Sequence, residues 1–163
     1  MQRHKKFEQI LSDSFKTVDD ADVRRLPDQM SGYYGSKNDC DLMVYHWPTL
    51  FYFEAKSFAG DSFCFNYKEG TSFYNQLNGL YERCKISGVV GGFIFWAVDY
   101  KKVFFVHVNI IKSLIDTGYK SITVKNLIES SSKRNKYVVN IESEVTILYP
   151  KLVNPLKFLR EIK

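Results

Sequence analysis

Residues 50–56 read Leu-Phe-Tyr-Phe-Glu-Ala-Lys, and no other stretch constrains the fold as strongly. Successive side chains of a strand point to opposite faces, and aromatic residues favour strands. As a strand, this run sends Phe51, Phe53 and Ala55 to one face and Glu54 and Lys56 to the other. A carboxylate and an ammonium so close to an apolar run need partners, because burying an unpaired charge is costly. Residues 39–45, Asp-Cys-Asp-Leu-Met-Val-Tyr, form a second extended run, and His46-Trp47-Pro48-Thr49 supply a turn between the two. The pair predicts a β-hairpin, with Asp39 and Asp41 on one side of its first strand.

The remaining elements follow from periodicity. Phe7, Ile10, Leu11 and Phe15 recur at helical spacing, which predicts an amphipathic helix over 4–16. Residues 17–38 are polar and rich in turn residues, an irregular excursion with a short strand near 23–26. Residues 57–70 read as a loop. Phe73, Leu77, Leu80, Tyr81 and Cys84 make the stripe of a helix over 71–87 that Gly88 stops. Strands are expected over 89–98 and 103–108, a short helix over 110–117, extended chain at 121–124 and 137–141, and a helix over 125–130. Pro150 and Pro155 mark the last stretch as a tail. The order predicts one α/β domain over 1–163, with a mixed central β-sheet flanked by helices. Its core spans about 4–125, and 126–163 form an accessory segment.

Composition narrows the function only slightly. A net charge of +5 suits a polyanionic partner or simply a solvated basic surface. Cys40, Cys64 and Cys84 are widely spaced with no CxxC pair, so neither a zinc site nor a disulfide framework is indicated. The longest apolar stretch, 89–98, is strand-sized, and no signal peptide or membrane span is read. A cytoplasmic protein is expected.

The hairpin carries the chemistry. A divalent cation held between Asp41 and Glu54 satisfies both carboxylates, and Mg²⁺ is commonly held by one or two carboxylates with water and a substrate phosphate. Such an ion polarises a phosphate and acidifies a bound water, while Lys56 orients that water or neutralises charge developing in the transition state. Asp39 is placed to complete the ligand shell or hold a second ion. Gln76 falls on the apolar stripe of its helix, where an amide needs a polar partner such as a metal-bound water or substrate phosphate. Glu8 borders the apolar face of the first helix in the same way and is a possible accessory residue. The plainer alternatives are a salt-bridged pair at Glu54 and Lys56, strand-opening turn residues at Asp39 and Asp41, and helix-edge residues at Gln76 and Glu8. His46 and His107 have no second ligand nearby and read as structural.

An Asp followed on the next strand by Glu-Ala-Lys resembles the PD-(D/E)xK nuclease superfamily, whose core is restriction-endonuclease-like. The stretch Arg25-Leu26-Pro27-Asp28-Gln29 through Asn38-Asp39-Cys40-Asp41, then Phe53-Glu54-Ala55-Lys56-Ser57, is similar to RecU-type Holliday junction resolvases, nearest to their phage-encoded relatives. The separation of thirteen residues from Asp41 to Glu54 suits that family, as do Gln76 and the run Gly91-Gly92-Phe93-Ile94-Phe95-Trp96. The resemblance spans roughly residues 7–125. It implies metal ligands at Asp41, Glu54 and Gln76, and transition-state stabilisation by Lys56. Two positions depart from the pattern: Asp39 stands where threonine is frequent, and Asn75 where histidine is. The resemblance also implies a stalk that enters the open junction, here the excursion through 24–38 with Arg24, Arg25 and Lys37 as DNA-binding residues. A homodimer is implied, matching the two-fold symmetry of a four-way junction. The expected activity is structure-selective, Mg²⁺-dependent endonucleolytic resolution of four-way junctions by symmetric nicking, leaving 5′-phosphate ends, with Mn²⁺ as an alternative cofactor. The location would be the host cytoplasm for a phage-encoded protein. Rival readings are a sequence-specific restriction-type endonuclease and a non-catalytic branched-DNA-binding module.

Overall fold

The structure is a computed structural model that describes residues 2–26, 38, 40–146 and 149–163. Helix α1 (Gln2–Phe15) is followed by strands β1 (Ala21–Arg25), β2 (Leu42–His46), β3 (Thr49–Phe58) and β4 (Ser62–Cys64). Helix α2 (Ser72–Arg83) leads to β5 (Val89–Ala97) and β6 (Lys102–His107). Then come α3 (Val108–Asp116), β7 (Ser121–Thr123), α4 (Val124–Ser132), β8 (Val138–Ile141), β9 (Ser143–Thr146), β10 (Tyr149–Leu152) and α5 (Pro155–Glu161).

Six strands form one mixed sheet in the order β1-β2-β3-β5-β6-β8. The predicted hairpin is present, pairing Leu42 with Phe53 and His46 with Thr49. The central β3–β5 pair is parallel, which requires a crossover, and α2 makes it. The aromatic run divides as its alternation demands. Phe51, Phe53 and Ala55 join Phe7, Leu11 and Phe15 of α1 in one buried layer. Tyr52, Phe93 and Phe95 pack with Phe73, Leu77 and Leu80 of α2 in the other. The sheet is thus covered on both faces, and each face has its own core. No helix among the described residues is long and apolar enough to cross a membrane.

Gly92 shows how tightly β5 and β6 approach. A Cβ there would collide with the Val106 carbonyl oxygen and lie 2.7 Å from Phe105 Cε2. Overpacking of this kind costs roughly 1–3 kcal/mol, and a domain of this size loses about 2–4 °C of Tm per kcal/mol. Gly92→Ala is therefore expected to lower the midpoint by roughly 2–12 °C in a circular-dichroism melt. An unchanged midpoint would mean that the strands separate to admit the methyl group without cost.

Two expectations need correction. The last stretch is not a tail: Leu152, Phe158, Leu159 and Ile162 are buried in the α1-side core, while the extended run expected at 137–141 is β8, the sixth strand of the main sheet. The Phe158 ring meets those of Phe15, Phe53 and Phe105. Its prolines punctuate elements rather than end the fold. Pro150 lies in the two-stranded β9–β10 ribbon, and Pro155 opens α5 behind the capping Asn154, where a missing N–H costs nothing. Residues 57–70 are also more ordered than a loop, since β3 runs on to Phe58 and β4 pairs antiparallel with β7.

Candidate active site

The backbone of Asp41 is fixed at the mouth of β2. Its N–H donates to the Phe53 carbonyl at 3.0 Å, and its carbonyl accepts from the Leu26 N–H at 2.8 Å. Its carboxylate turns over β3, where Oδ2 accepts from the Ala55 N–H at 2.8 Å. Glu54 and Lys56 project from the same part of β3 on the α2 side, as the alternation requires. Glu54 is 2% exposed. Lys56 Nζ donates to Glu54 Oε1 at 2.8 Å and to Gln76 Oε1 at 3.0 Å, which holds the ammonium between strand and helix.

These side chains line one cavity of about 360 Å³, together with Glu8 from α1. Glu8 does not stand free there, because Arg25 Nη2 donates to its Oε2 at 2.8 Å and Nη1 to Gln9 Oε1 at 3.3 Å. Arg25, expected as a DNA contact, is thus engaged beside the cavity. Arg24 is exposed and paired with Asp22 at 3.2 Å. Lys37 and Asp39 lie outside the described residues, as does most of the 24–38 excursion. His107 caps α3 by accepting from the Asn109 N–H, and His46 meets Lys163.

Burial dominates the electrostatics, and the crowding of acids adds to it. Burial, then the Asp41 charge, pushes the Glu54 pKa up to about 8 despite its ion pair with Lys56. Asp41 rises to about 6 through burial and the Glu8 charge, partly countered by the Ala55 N–H. When ionised, Glu54 Oε2 is buried without a hydrogen-bond partner. When protonated, it can share its proton with Asp41, which accounts for the opposite effects the two groups have on each other. Among the described residues, no cluster of three or more His, Cys, Asp or Glu side chains is arranged to hold a metal. Two converging carboxylates, one with an orphaned oxygen, nevertheless fit a hard cation whose remaining ligands are water and phosphate.

Asn66 and Ser72 also line the cavity, and the sequence reading missed both. Ser72 had a usable signal, since it lies one helical turn before Gln76 and follows Thr71, a capping residue type.

No protein-family model matches the sequence, and no curated protein matches it significantly. In structure, the chain is similar to Hjc, a Holliday junction resolvase from the archaeal hyperthermophile Archaeoglobus fulgidus. The TM-score is 0.51 at 14% identity, covering 75% of this chain and 89% of that one. A likeness at that identity speaks for architecture, and the mixed central sheet flanked by helices is the fold of that resolvase.

Proposed function

We propose that the chain is a divalent-cation-dependent DNA endonuclease that resolves four-way junctions. The observation that carries this reading is the meeting of Asp41, Glu54 and Lys56 in one cavity, with Glu54 Oε2 left without a partner. The shared fold with a Holliday junction resolvase supports the junction as substrate. The finer assignment, a RecU-type and phage-related enzyme acting as a homodimer and leaving 5′-phosphates, rests on the sequence resemblance.

Asp41 and Glu54 would hold Mg²⁺ or Mn²⁺, with Asp39 as a further candidate ligand. When bound, the ion would polarise the scissile phosphate and supply an acidified water. The protein's own contribution is positional. The Ala55 N–H aims Asp41 across β3. Lys56, steered by Glu54 and Gln76, brings a fixed positive charge to the phosphate, where it counters charge developing in the transition state. Glu8 adds a third carboxylate held back by Arg25. Arg24 and Lys37 are the proposed contacts to the DNA backbone.

Cleavage of a labelled four-way junction, beside linear duplex of the same sequence and with or without Mg²⁺, tests the reading. Paired nicks in opposing strands of the junction, absent in EDTA, are expected. Cutting of linear duplex at defined sites would instead favour a restriction-type enzyme, and metal-independent binding without cleavage a DNA-binding module.

A further inference from the structure

The orientation of the Gln76 amide decides what it can bind. Lys56 carries only donors at its ammonium, so the Gln76 atom 3.0 Å from Nζ must be the carbonyl oxygen. The Gln76 oxygen is thus engaged by Lys56, and Nε2 is left as a pair of N–H donors, which suit a phosphate oxygen and not a cation. Ser72 stands four residues earlier on α2, hence one turn away on the same face, and both residues line the cavity. Thr71 caps this helix, with its hydroxyl oxygen accepting from the Tyr74 N–H. The same hydroxyl donates to the Asn66 carbonyl at 2.7 Å, which ties the preceding loop to the helix start. Asn66 lines the cavity too.

The cavity thus has two unlike walls. On one side stand the carboxylates of Asp41, just before β2, Glu54 on β3 and Glu8 on α1, and Glu54 has a buried oxygen that lacks a partner. On α2 stand the Ser72 hydroxyl, at the end of the helix where the dipole favours negative charge, and one turn further along the Gln76 amide. A phosphodiester lying between them meets a cation on the acidic side and hydrogen-bond donors on the other.

We propose that the Ser72–Gln76 face of α2 is the phosphate-binding wall of the site, so that Gln76 holds the DNA strand and is not a metal ligand. This inference rests on the nuclease reading above and specifies how its substrate is gripped.

The test separates metal from DNA. Mn²⁺ binding to DNA-free protein would be measured by calorimetry for the wild type, Gln76→Met, Ser72→Ala and Ser72→Thr. Junction affinity would be measured in Ca²⁺, KM and kcat in Mg²⁺, and thermal unfolding would confirm that each variant folds. Mn²⁺ affinity is expected to stay within about twofold throughout. Junction Kd and KM are expected to rise roughly tenfold for Gln76→Met and Ser72→Ala, the usual loss for a hydrogen bond to a charged group, with Ser72→Thr close to wild type. A tenfold loss of Mn²⁺ affinity in Gln76→Met would make Gln76 a ligand and overturn the proposal, as would unchanged junction Kd and KM. Wild-type protein that neither binds nor cuts branched DNA would overturn the nuclease reading itself, an outcome recognisable before any variant is made.

Discussion

Asp41→Asn and Glu54→Gln are each expected to lower junction cleavage at least roughly a thousandfold while leaving junction affinity in Ca²⁺ within a few-fold. The size follows from what the carboxylates do. A bound cation contributes several kcal/mol of charge stabilisation at a phosphate, and each 1.36 kcal/mol is a factor of ten in rate. Both side chains lie in the same cavity, and neither amide replacement restores the lost negative charge. DNA affinity, by contrast, comes mainly from contacts to the backbone phosphates. Lys56→Met should lower kcat as well, but for a different reason: its loss removes a positive charge and leaves Glu54 Oε1 without its donor. Single-turnover cleavage of a labelled junction measures all three. Near-wild-type cutting by either carboxylate variant would show that the cation sits elsewhere.

Glu54 and Lys56 were legible because each breaks a pattern that its neighbours enforce. Phe51, Phe53 and Ala55 define a strand so clearly that Glu54 and Lys56 must share the opposite face, and they do. Gln76 stood out against the stripe of Phe73, Leu77 and Leu80, although the sequence could not give its amide orientation, which depends on Lys56 twenty residues away. The Glu8–Arg25 pair is of the same kind, since it joins α1 to β1 across seventeen residues and leaves no periodic trace. The three-residue strand β4 is too short to alternate visibly and forms only by pairing with β7, whose extended run at 121–124 the sequence did show. The C-terminal segment was hidden by its prolines. Read locally they break structure, yet Pro155 begins a helix whose Phe158 and Leu159 complete the core laid down by α1.

Without metal at about pH 8.5, Glu54→Gln should be more stable than the wild type by on the order of 2–4 kcal/mol, or roughly 4–16 °C in Tm. Burial and Asp41 raise the Glu54 pKa from 4.5 to about 8 in the folded protein. Between those values the folded chain binds a proton that the unfolded chain has released. Wild-type stability therefore falls as pH rises through that window and levels off above it. Glutamine removes the buried charge. Its oxygen can still accept from Lys56, and its amide N–H can donate to Asp41 in place of the shared proton. The advantage should thus shrink towards pH 5, where wild-type Glu54 already holds its proton. Saturating Mg²⁺ should cancel most of that advantage, because an ion bound only by the folded wild type stabilises it by mass action, about 2.7 kcal/mol at a hundred times Kd, while the variant gains little. Melts at pH 5 and 8.5, each in EDTA and in Mg²⁺, give all four values. A difference that ignores both pH and metal would mean that the substitution acts through packing alone, and that the acid pair is not held apart for a cation.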